Sequence, residues 1–223
     1  MKEVVKAAEG EIYDLELSVD LLRENEKIAE KNRALLKEKG VKAIDIMGSI
    51  GTGKTSLIEK LIIELKGKYR IAAFKGDLTT TIDAEIIEKH GVQTVAINTG
   101  KECHLDANLV KKALNQLDLD NFDLLLIENV GNLICPAEFS LGSEKRIVVI
   151  SVTEGPYMVV KHPFIFFNAD VVAINKVDLA QAMEVDIGKL EADVKRINPQ
   201  ATVVATNCRS GKGIQSVIAA LGL

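Results

Sequence analysis

The stretch Gly48-Ser-Ile-Gly-Thr-Gly-Lys-Thr55 predicts a backbone loop that binds phosphate groups. It matches the spacing G-x-x-x-x-G-K-S/T and stands between an apolar run at 41–47 and a segment of helical periodicity at 56–65. A strand before the glycines and a helix after them are what such a loop requires, because its N–H groups must converge at the positive end of a helix dipole. The sequence therefore indicates a P-loop.

Each type of residue in this loop has an expected role. The glycines let the backbone turn where a side chain would clash. Lys54 can reach the outer phosphates of a nucleotide, and the Thr55 hydroxyl can bind magnesium. The predicted nucleotide contacts of the loop are Gly48, Ser49, Ile50, Gly51, Thr52, Gly53, Lys54, Thr55 and Ser56.

Length and composition limit the class of protein. The 223 residues suffice for one α/β domain with a substantial core. The net charge is −4 with both signs interspersed, so no basic block indicates a nucleic-acid or membrane partner. No apolar run approaches a membrane span, and the N-terminus lacks a signal-peptide pattern. Three cysteines cannot form a disulfide framework, so we expect a cytoplasmic protein.

Strands and helices are predicted to alternate from residue 41. Continuous apolar strands such as Phe122–Ile127 and Ile147–Val152 indicate burial on both faces, which is typical of a parallel sheet. We therefore expect an α/β P-loop NTPase fold, with a mostly parallel sheet of about seven strands and helices on both faces. Predicted strands are 41–47, 70–74, 92–97, 122–128, 146–152, 170–175 and 201–206, and predicted helices are 54–66, 81–90, 105–117, 156–161, 185–197 and 213–221.

The N-terminal region is predicted to contain a separate helix. Residues 19–39 are rich in helix formers, with Ser18 as the expected N-cap and Gly40 as the stop. Its thin apolar stripe favours a helix that lies against the domain, although a surface for a partner is the alternative. We therefore predict a helical extension at 1–40 and a P-loop GTPase domain at 41–223.

The segment Asn175-Lys-Val-Asp178 predicts which base the nucleotide carries. It follows an apolar strand and fits N-K-x-D, in which the Asp carboxylate accepts from the ring N–H and the exocyclic amine of guanine. Adenine offers neither arrangement, so it would leave the carboxylate unpaired. Lys176 can pack along the nucleotide, and Asn207, Cys208 and Arg209 form a looser match to a second base-binding loop. The alternative is a polar turn after a strand.

The residues Glu128-Asn-Val-Gly131 predict the magnesium and γ-phosphate site. Many GTPases place D-x-x-G here, so the longer Glu128 side chain is expected to act through water, while the Gly131 N–H senses the γ-phosphate. Asn132 stands where Ras-like enzymes have a water-orienting Gln, which predicts slow intrinsic hydrolysis. Asp77 and Asp83 are further candidates for holding magnesium or water, and Asp83 can alternatively cap a helix. The predicted catalytic residues are Lys54, Thr55, Asp77, Asp83, Glu128 and Gly131.

Cys103, His104 and Cys135 are candidate metal ligands. Thiolates and imidazole suit nickel or zinc, and two copies of the chain could together complete a coordination shell. Spacing alone favours a purely structural role, with small buried cysteines and a surface histidine. If the metal role holds, the short separation of Cys135 from Glu128 predicts that the γ-phosphate sensor and a metal ligand move together.

These segments together resemble HypB, the GTPase family of nickel insertion during nickel–iron hydrogenase maturation. The carrying stretches are Gly48–Thr55, Asn98–Ala107, Ile127–Pro136, Val152–Gly155 and Ile174–Leu179. Among them, Cys-His-Leu-Asp-Ala and Glu-Asn-Val-Gly-Asn-Leu are highly specific to that family. The related urease GTPase carries Cys-Pro-His instead, which argues against it.

The resemblance implies a homodimer promoted by GTP and metal, with nickel or zinc held at the interface by Cys103, His104 and Cys135. It implies a HypA-type maturation protein and the hydrogenase large-subunit precursor as partners. It also implies that a lysine matching Lys161 reaches the neighbouring subunit's nucleotide. Because no cysteine precedes Cys103, the Cys-rich nickel motif that begins some relatives is missing.

The sequence thus predicts a GTP-hydrolysing metallochaperone that couples GTP-dependent dimerisation to nickel insertion into hydrogenase precursor. GTP, magnesium and nickel or zinc are its expected ligands, without nucleic acid or membrane. One alternative is a GTPase metallochaperone for another metalloenzyme or cofactor, of the urease or cobalamin type. Another is a nucleotide-stabilised metal-binding protein without significant turnover.

Overall fold

A computed structural model describes residues 15–77, 86–100 and 102–223, with side chains described from residue 19. The helices are α1 (Leu15–Glu38), α2 (Lys54–Leu65), α3 (Ala107–Leu114), α4 (Met158–Lys161), α5 (Ile187–Ile197) and α6 (Ile214–Leu221). The strands are β1 (Lys42–Met47), β2 (Ile71–Asp77), β3 (Gln93–Asn98), β4 (Leu124–Glu128), β5 (Lys145–Ser151), β6 (Val171–Asn175) and β7 (Thr202–Ala205). None of the helices in these ranges is long and apolar enough to cross a membrane.

All seven strands form one parallel sheet in the order β3-β2-β4-β1-β5-β6-β7. The predicted P-loop NTPase fold is therefore confirmed, and the sheet is parallel throughout. The chain order reverses around β1, so the loops that leave the carboxyl ends of β1, β4 and β5 open onto one crevice. Such a crevice is where open α/β sheets bind ligands.

Helices cover both faces of the sheet, because alternate residues of each central strand point to opposite sides. On one face, Ile44 and Ile46 of β1 pack with α2 and α6 in a single core cluster. On the other face, Ala43 and Phe74 pack with α1 and α3, while Val148 of β5 packs with α4 and α5. Continuous apolar strands are thus explained by burial on both sides.

The N-terminal helix α1 lies against α3 and the loop before β5. Asn25 accepts from the Ala107 N–H at 2.8 Å and donates to the Ser140 carbonyl oxygen at 2.8 Å. Buried Asn32 donates to the carbonyl oxygens of Ala107 (2.8 Å) and Leu141 (3.1 Å). These bonds hold α1 against the domain, as the sequence favoured, while the division of the chain at residue 40 stays a prediction.

Several predicted element ends differ from the observed ends by a few residues, such as the helix predicted at 105–117, which spans Ala107–Leu114. Two of the differences have identifiable reasons. Helix α1 already includes Leu15, the first described residue, so Ser18 lies inside the helix and is not its N-cap. Leu15, Glu16 and Leu17 are good helix formers, which explains why they join it. Strand β2 continues to Asp77 rather than ending at residue 74, because it pairs with β3 from Ala72 to Asp77.

Candidate functional site

The P-loop leaves β1 and enters α2 at the predicted place. Gly48 has φ +148°, and a Cβ there would stand 2.2 Å from the Val149 carbonyl oxygen. Gly53 has φ +101°, and a Cβ there would stand 2.4 Å from Asn175 Nδ2. Both positions therefore demand glycine. In the described part of the chain no side chain caps the start of α2, so its first N–H groups are available to an anion.

The Lys54 side chain extends back toward the start of the P-loop. Its Nζ donates to the carbonyl oxygens of Gly48 at 3.0 Å and Ser49 at 2.9 Å, and the residue is only 6% exposed. Ser49 is itself fixed from the other side by a 2.6 Å bond from its hydroxyl to Glu154. The ammonium is thus held against the P-loop backbone, and its contact with the outer phosphates stays a prediction.

Glu128 ends strand β4 beside the start of α2. The Thr55 hydroxyl donates to both Glu128 carboxylate oxygens, at 2.9 and 3.1 Å. Lys75 of β2, which the sequence reasoning missed, forms an ion pair with the same carboxylate. A hydroxyl and a carboxylate are the oxygen ligands that magnesium prefers, so Thr55 and Glu128 fit the ion predicted for them.

A cleft of about 580 Å³ runs along these residues. Its walls come from the P-loop, the end of β2 and the segment after β4, and they include Asp77, Glu128 and Gly131. A Cβ on Gly131 would lie 2.4 Å from Ile50 Cγ1 and 3.0 Å from the Ile50 backbone nitrogen, so this segment packs closely against the P-loop. Asp77 therefore stays a candidate beside the phosphates, whereas Asp83 lies outside the described residues.

The predicted base site adjoins this cleft. Asn175 Nδ2 donates to the Thr52 carbonyl oxygen at 2.8 Å, and its Oδ1 accepts from the Cys208 N–H at 3.0 Å. Lys176 adopts φ +58° and donates to the Gly51 carbonyl oxygen at 2.7 Å. Asn175 and Lys176 therefore tie the P-loop to the two base loops.

Exposed Asp178 opens onto a second pocket, of about 510 Å³. Asn207, Cys208 and Arg209 also line this pocket. Burial raises the pKa of the Cys208 thiol to about 11, so this cysteine stays neutral and serves the loop as a small packed residue. The two pockets share Gly53, Ser56 and Lys176, so they form one continuous groove, which we call the nucleotide groove after its predicted ligand.

Cys103, His104 and Cys135 come together in one cluster, formed by the loops that follow β3 and β4. One candidate ligand atom from each residue lies within 4.8 Å of the other two. The two Sγ atoms are 2.9 Å apart, and Cys103 Sγ is 3.9 Å from His104 Nδ1. The structure therefore removes the spacing argument against a metal site, because the fold joins what the sequence separates.

The chemistry of the cluster suits a borderline or soft divalent cation. Burial lowers the pKa of His104, which favours the neutral imidazole that a metal binds. Burial and the adjoining Cys103 raise the pKa of the Cys135 thiol, so metal binding there would release protons. The His104 ring packs against Phe139 at a centroid distance of 3.9 Å, which orients it. The described residues of one chain supply three donors at this cluster, so a tetrahedral ion there would need a further ligand.

Asparagines of the segment after β4 connect the cluster to the nucleotide groove. Asn132 donates from Nδ2 to the Cys103 carbonyl oxygen at 3.3 Å, and its backbone forms an antiparallel bridge with Gly48. Buried Asn129 accepts from the Leu105 N–H at 3.1 Å. The cysteine segment and the γ-phosphate segment are therefore joined by side chains as well as by Cys135.

The remaining predicted or considered residues lie elsewhere. Lys161 is exposed on α4 and is not among the residues that line either pocket. His90 bonds Glu59 of α2 at 2.9 Å, and neither it nor half-buried His162 belongs to the metal cluster found among the described residues. A role of Lys161 at a nucleotide would thus require a second copy of the chain.

Several known proteins are similar to this chain in sequence and in fold. Residues 42–205 match the family model described as the CobW/HypB/UreG nucleotide-binding domain. The chain is 56% identical over 204 residues to a protein of Methanocaldococcus jannaschii described as a probable hydrogenase maturation factor HypB, covering 92% of each. The solved structure of hydrogenase maturation factor HypB from Archaeoglobus fulgidus is 48% identical with a TM-score of 0.84, covering 90% of this chain and 98% of that one.

A second solved structure is that of HypB from Helicobacter pylori in complex with nickel. It is 32% identical, has a TM-score of 0.82, and covers 87% of this chain and 91% of that one. On the family match and on these identities, the chain belongs to the HypB hydrogenase maturation factors of the CobW/HypB/UreG nucleotide-binding family.

Proposed function

We propose that the chain is a GTP-hydrolysing metallochaperone that couples GTP-dependent dimerisation to nickel insertion into a nickel–iron hydrogenase precursor. One observation carries the proposal furthest. The Cys103 carbonyl oxygen and Gly48 of the P-loop are both bonded to Asn132, so the nucleotide groove and the metal cluster share a residue. The nickel complex of the Helicobacter pylori relative supports nickel as the cargo.

In the proposed reaction, water attacks the γ-phosphorus of GTP, the bond to the β–γ bridging oxygen breaks, and GDP leaves with that oxygen. Lys54 and the N–H groups of α2 stabilise the negative charge that accumulates on the phosphate oxygens. Thr55 and Glu128 would hold magnesium, which neutralises part of that charge. The Asn132 side chain already bonds Cys103 and the Ile134 N–H, so slow intrinsic hydrolysis is expected.

Asp178 selects guanine, and Asn175 holds the surrounding loops in position. The exposed carboxylate would accept both guanine donors, while adenine would leave it unpaired. Asn175 fixes the Cys208 backbone on one side and the P-loop on the other. A single side chain therefore positions both the loop for the base and the loop for the phosphates.

A dimer would complete what one chain lacks. The three metal donors of each copy could combine across a two-fold axis, and exposed Lys161 could then reach the neighbour's nucleotide. GTP shifts the equilibrium only if it binds the dimer better than the monomer. A HypA-type protein and the hydrogenase large-subunit precursor are the proposed partners for loading and unloading the metal.

The deciding experiment measures the molecular mass in solution by light scattering. Apo protein should be monomeric, and a non-hydrolysable GTP analogue together with nickel should give a dimer. A monomer under every condition would overturn the dimerisation part of the proposal. A turnover assay complements it, because absence of magnesium-dependent GTP hydrolysis above buffer would favour the alternative of a metal-binding protein without turnover.

The cargo needs a separate test, because urease-type and cobalamin-type systems are the alternatives. Nickel-loaded protein with GTP should activate a nickel–iron hydrogenase precursor and leave a urease apoprotein inactive. Activation of urease alone would contradict the hydrogenase assignment and support a urease-type function instead. Failure to bind nickel at all would remove the metal from the function.

A further inference from the structure

Lys75 is a buried cation inside the nucleotide cleft, and no sequence motif accounts for it. It lies on β2 in register with Glu128 of the neighbouring strand β4, so both side chains leave the sheet at the same level. The Lys75 side chain is 6% exposed, the Glu128 side chain is 2% exposed, and the two form an ion pair. Lys75 also lines the cleft, together with Lys54 and Asp77.

A carboxylate as deeply buried as that of Glu128 needs a positive charge nearby. Desolvation of an isolated carboxylate is very costly, and a buried pair is tolerated when geometry and hydrogen bonds satisfy both partners. Lys75 supplies the charge, and the Thr55 hydroxyl supplies the additional hydrogen bonds. The protein therefore neutralises Glu128 from its own residues.

The same carboxylate is the one expected to assist magnesium through Thr55. A magnesium ion held by Thr55 and Glu128 would place a second cation beside the Lys75 ammonium. The two cations repel, so each weakens the hold of the other on Glu128. Conversely, Lys75 compensates the carboxylate whenever magnesium is absent, so the cleft still accepts negatively charged phosphates.

We propose that Lys75 is a positioning residue that acts as the internal counter-ion of Glu128 and sets how strongly nucleotide binding depends on magnesium. The inference rests on the proposed function of the cleft. Among the described residues, three lysines and two carboxylates line that cleft, namely Lys54, Lys75, Lys176, Asp77 and Glu128. Without Lys75 the phosphates of a bound nucleotide face the Glu128 charge unless magnesium offsets it.

The test is the affinity for a fluorescent GDP analogue, measured once in excess magnesium and once in EDTA. The readout is the ratio of the two dissociation constants, which requires no turnover. In Lys75→Met we expect the loss of affinity on magnesium removal to be at least about tenfold larger than in the parent protein. Lys75→Arg should return the ratio toward the parent value, because it restores the charge.

A control removes a lysine from a more exposed ion pair at the amino end of the strands. Lys145 of β5 bonds Asp170 at 2.8 Å, and neither residue lines the nucleotide cleft. Lys145→Met should leave the ratio unchanged. An equal ratio in the parent and in folded Lys75→Met, judged by circular dichroism, would overturn the inference.

Two further outcomes separate the inference from the proposed function and from misfolding. If the parent protein binds no guanine nucleotide in either buffer, the proposed function fails. If Lys75→Met does not fold, the double variant Lys75→Met with Glu128→Gln removes both charges and avoids an unpaired buried carboxylate. A folded double variant with a magnesium dependence as steep as that of the parent would then contradict the assigned role of the pair.

Discussion

Asn132 Nδ2 donates to the carbonyl oxygen of Cys103 at 3.3 Å, across 29 residues of chain. The same residue forms a backbone bridge with Gly48, and its Oδ1 accepts from the Ile134 N–H at 2.9 Å. It thus stands between the P-loop and both cysteine segments. If the segment after β4 senses the γ-phosphate, as proposed, its movement would act on Cys103 through Asn132 and on Cys135 through the chain.

Replacement of Asn132 by Ala should weaken nickel binding and its response to nucleotide. Residues that orient metal ligands from outside the coordination shell typically contribute 10- to 100-fold to metal affinity, and we expect about tenfold here. Nickel titration with and without a non-hydrolysable GTP analogue measures both effects. Asn168→Ala, at an exposed asparagine outside the groove and the cluster, is the control. Identical titrations for Asn132→Ala and the parent would refute the connection.

Loss of the Cys103 thiol should abolish nickel and zinc binding at the cluster. The Cys103 Sγ atom is 2.9 Å from Cys135 Sγ and 3.9 Å from His104 Nδ1, so its removal takes away the donor that neighbours both others. Cys103→Ala is compared with the parent by calorimetric titration. Cys208→Ala removes the third cysteine, which lies in the base pocket, and should leave the metal stoichiometry intact. Unchanged metal binding in Cys103→Ala would sink the metal assignment.

Nucleotide specificity should change when one carboxylate oxygen of Asp178 is replaced by an amide nitrogen. An amide at that position can no longer accept both guanine donors, but it can donate to the additional oxygen of xanthine. Asp178→Asn should therefore weaken GTP at least about a hundredfold and admit xanthosine triphosphate. Competition against a fluorescent GDP analogue gives both affinities, with ATP as the comparison. If the variant keeps the GTP affinity of the parent, the base site lies elsewhere.

Local motifs made the nucleotide groove predictable from the sequence, whereas its ion pair was not. The P-loop and Asn175–Asp178 have fixed spacings, because the backbone must turn there and the base must be matched at adjacent positions. The role of Lys75 was not predicted, because a single charged residue before Gly76 indicates the end of a strand. Only the register between β2 and β4 reveals that Lys75 faces Glu128.

The residues of the metal cluster could be named from the sequence, but their proximity could not. Cys103 and Cys135 are far apart in the chain, and the fold brings them together through two loops at the carboxyl edge of the sheet. Periodicity and spacing contain no information about that approach, so the family resemblance alone indicated it. The prediction of Ser18 as N-cap was wrong for a local reason. Serine is a good N-cap residue, but the helix formers that precede it place it inside the helix.

The last prediction concerns Asp45, a fully buried carboxyl group on β1. Asn129 Nδ2 donates to its Oδ1 at 3.3 Å, Arg146 Nε lies 4.0 Å from its Oδ2, and Oδ2 has no hydrogen-bond partner among the described residues. Burial raises the pKa of Asp45 to about 6, and the charge of Arg146 and the Asn129 bond offset only part of that shift. The folded state therefore binds this proton more tightly than the unfolded state does.

The sign of the pH effect follows from linkage. A raised carboxyl pKa stabilises the fold below about pH 4, and that contribution is lost as the pH rises through about 6. A shift of roughly two pKa units corresponds to about 3 kcal/mol. The free energy of unfolding of the parent, relative to that of Asp45→Asn, should thus fall by about this amount between pH 4 and pH 7. Urea denaturation of both proteins across that range measures it, and parallel pH profiles would show that Asp45 does not titrate as proposed.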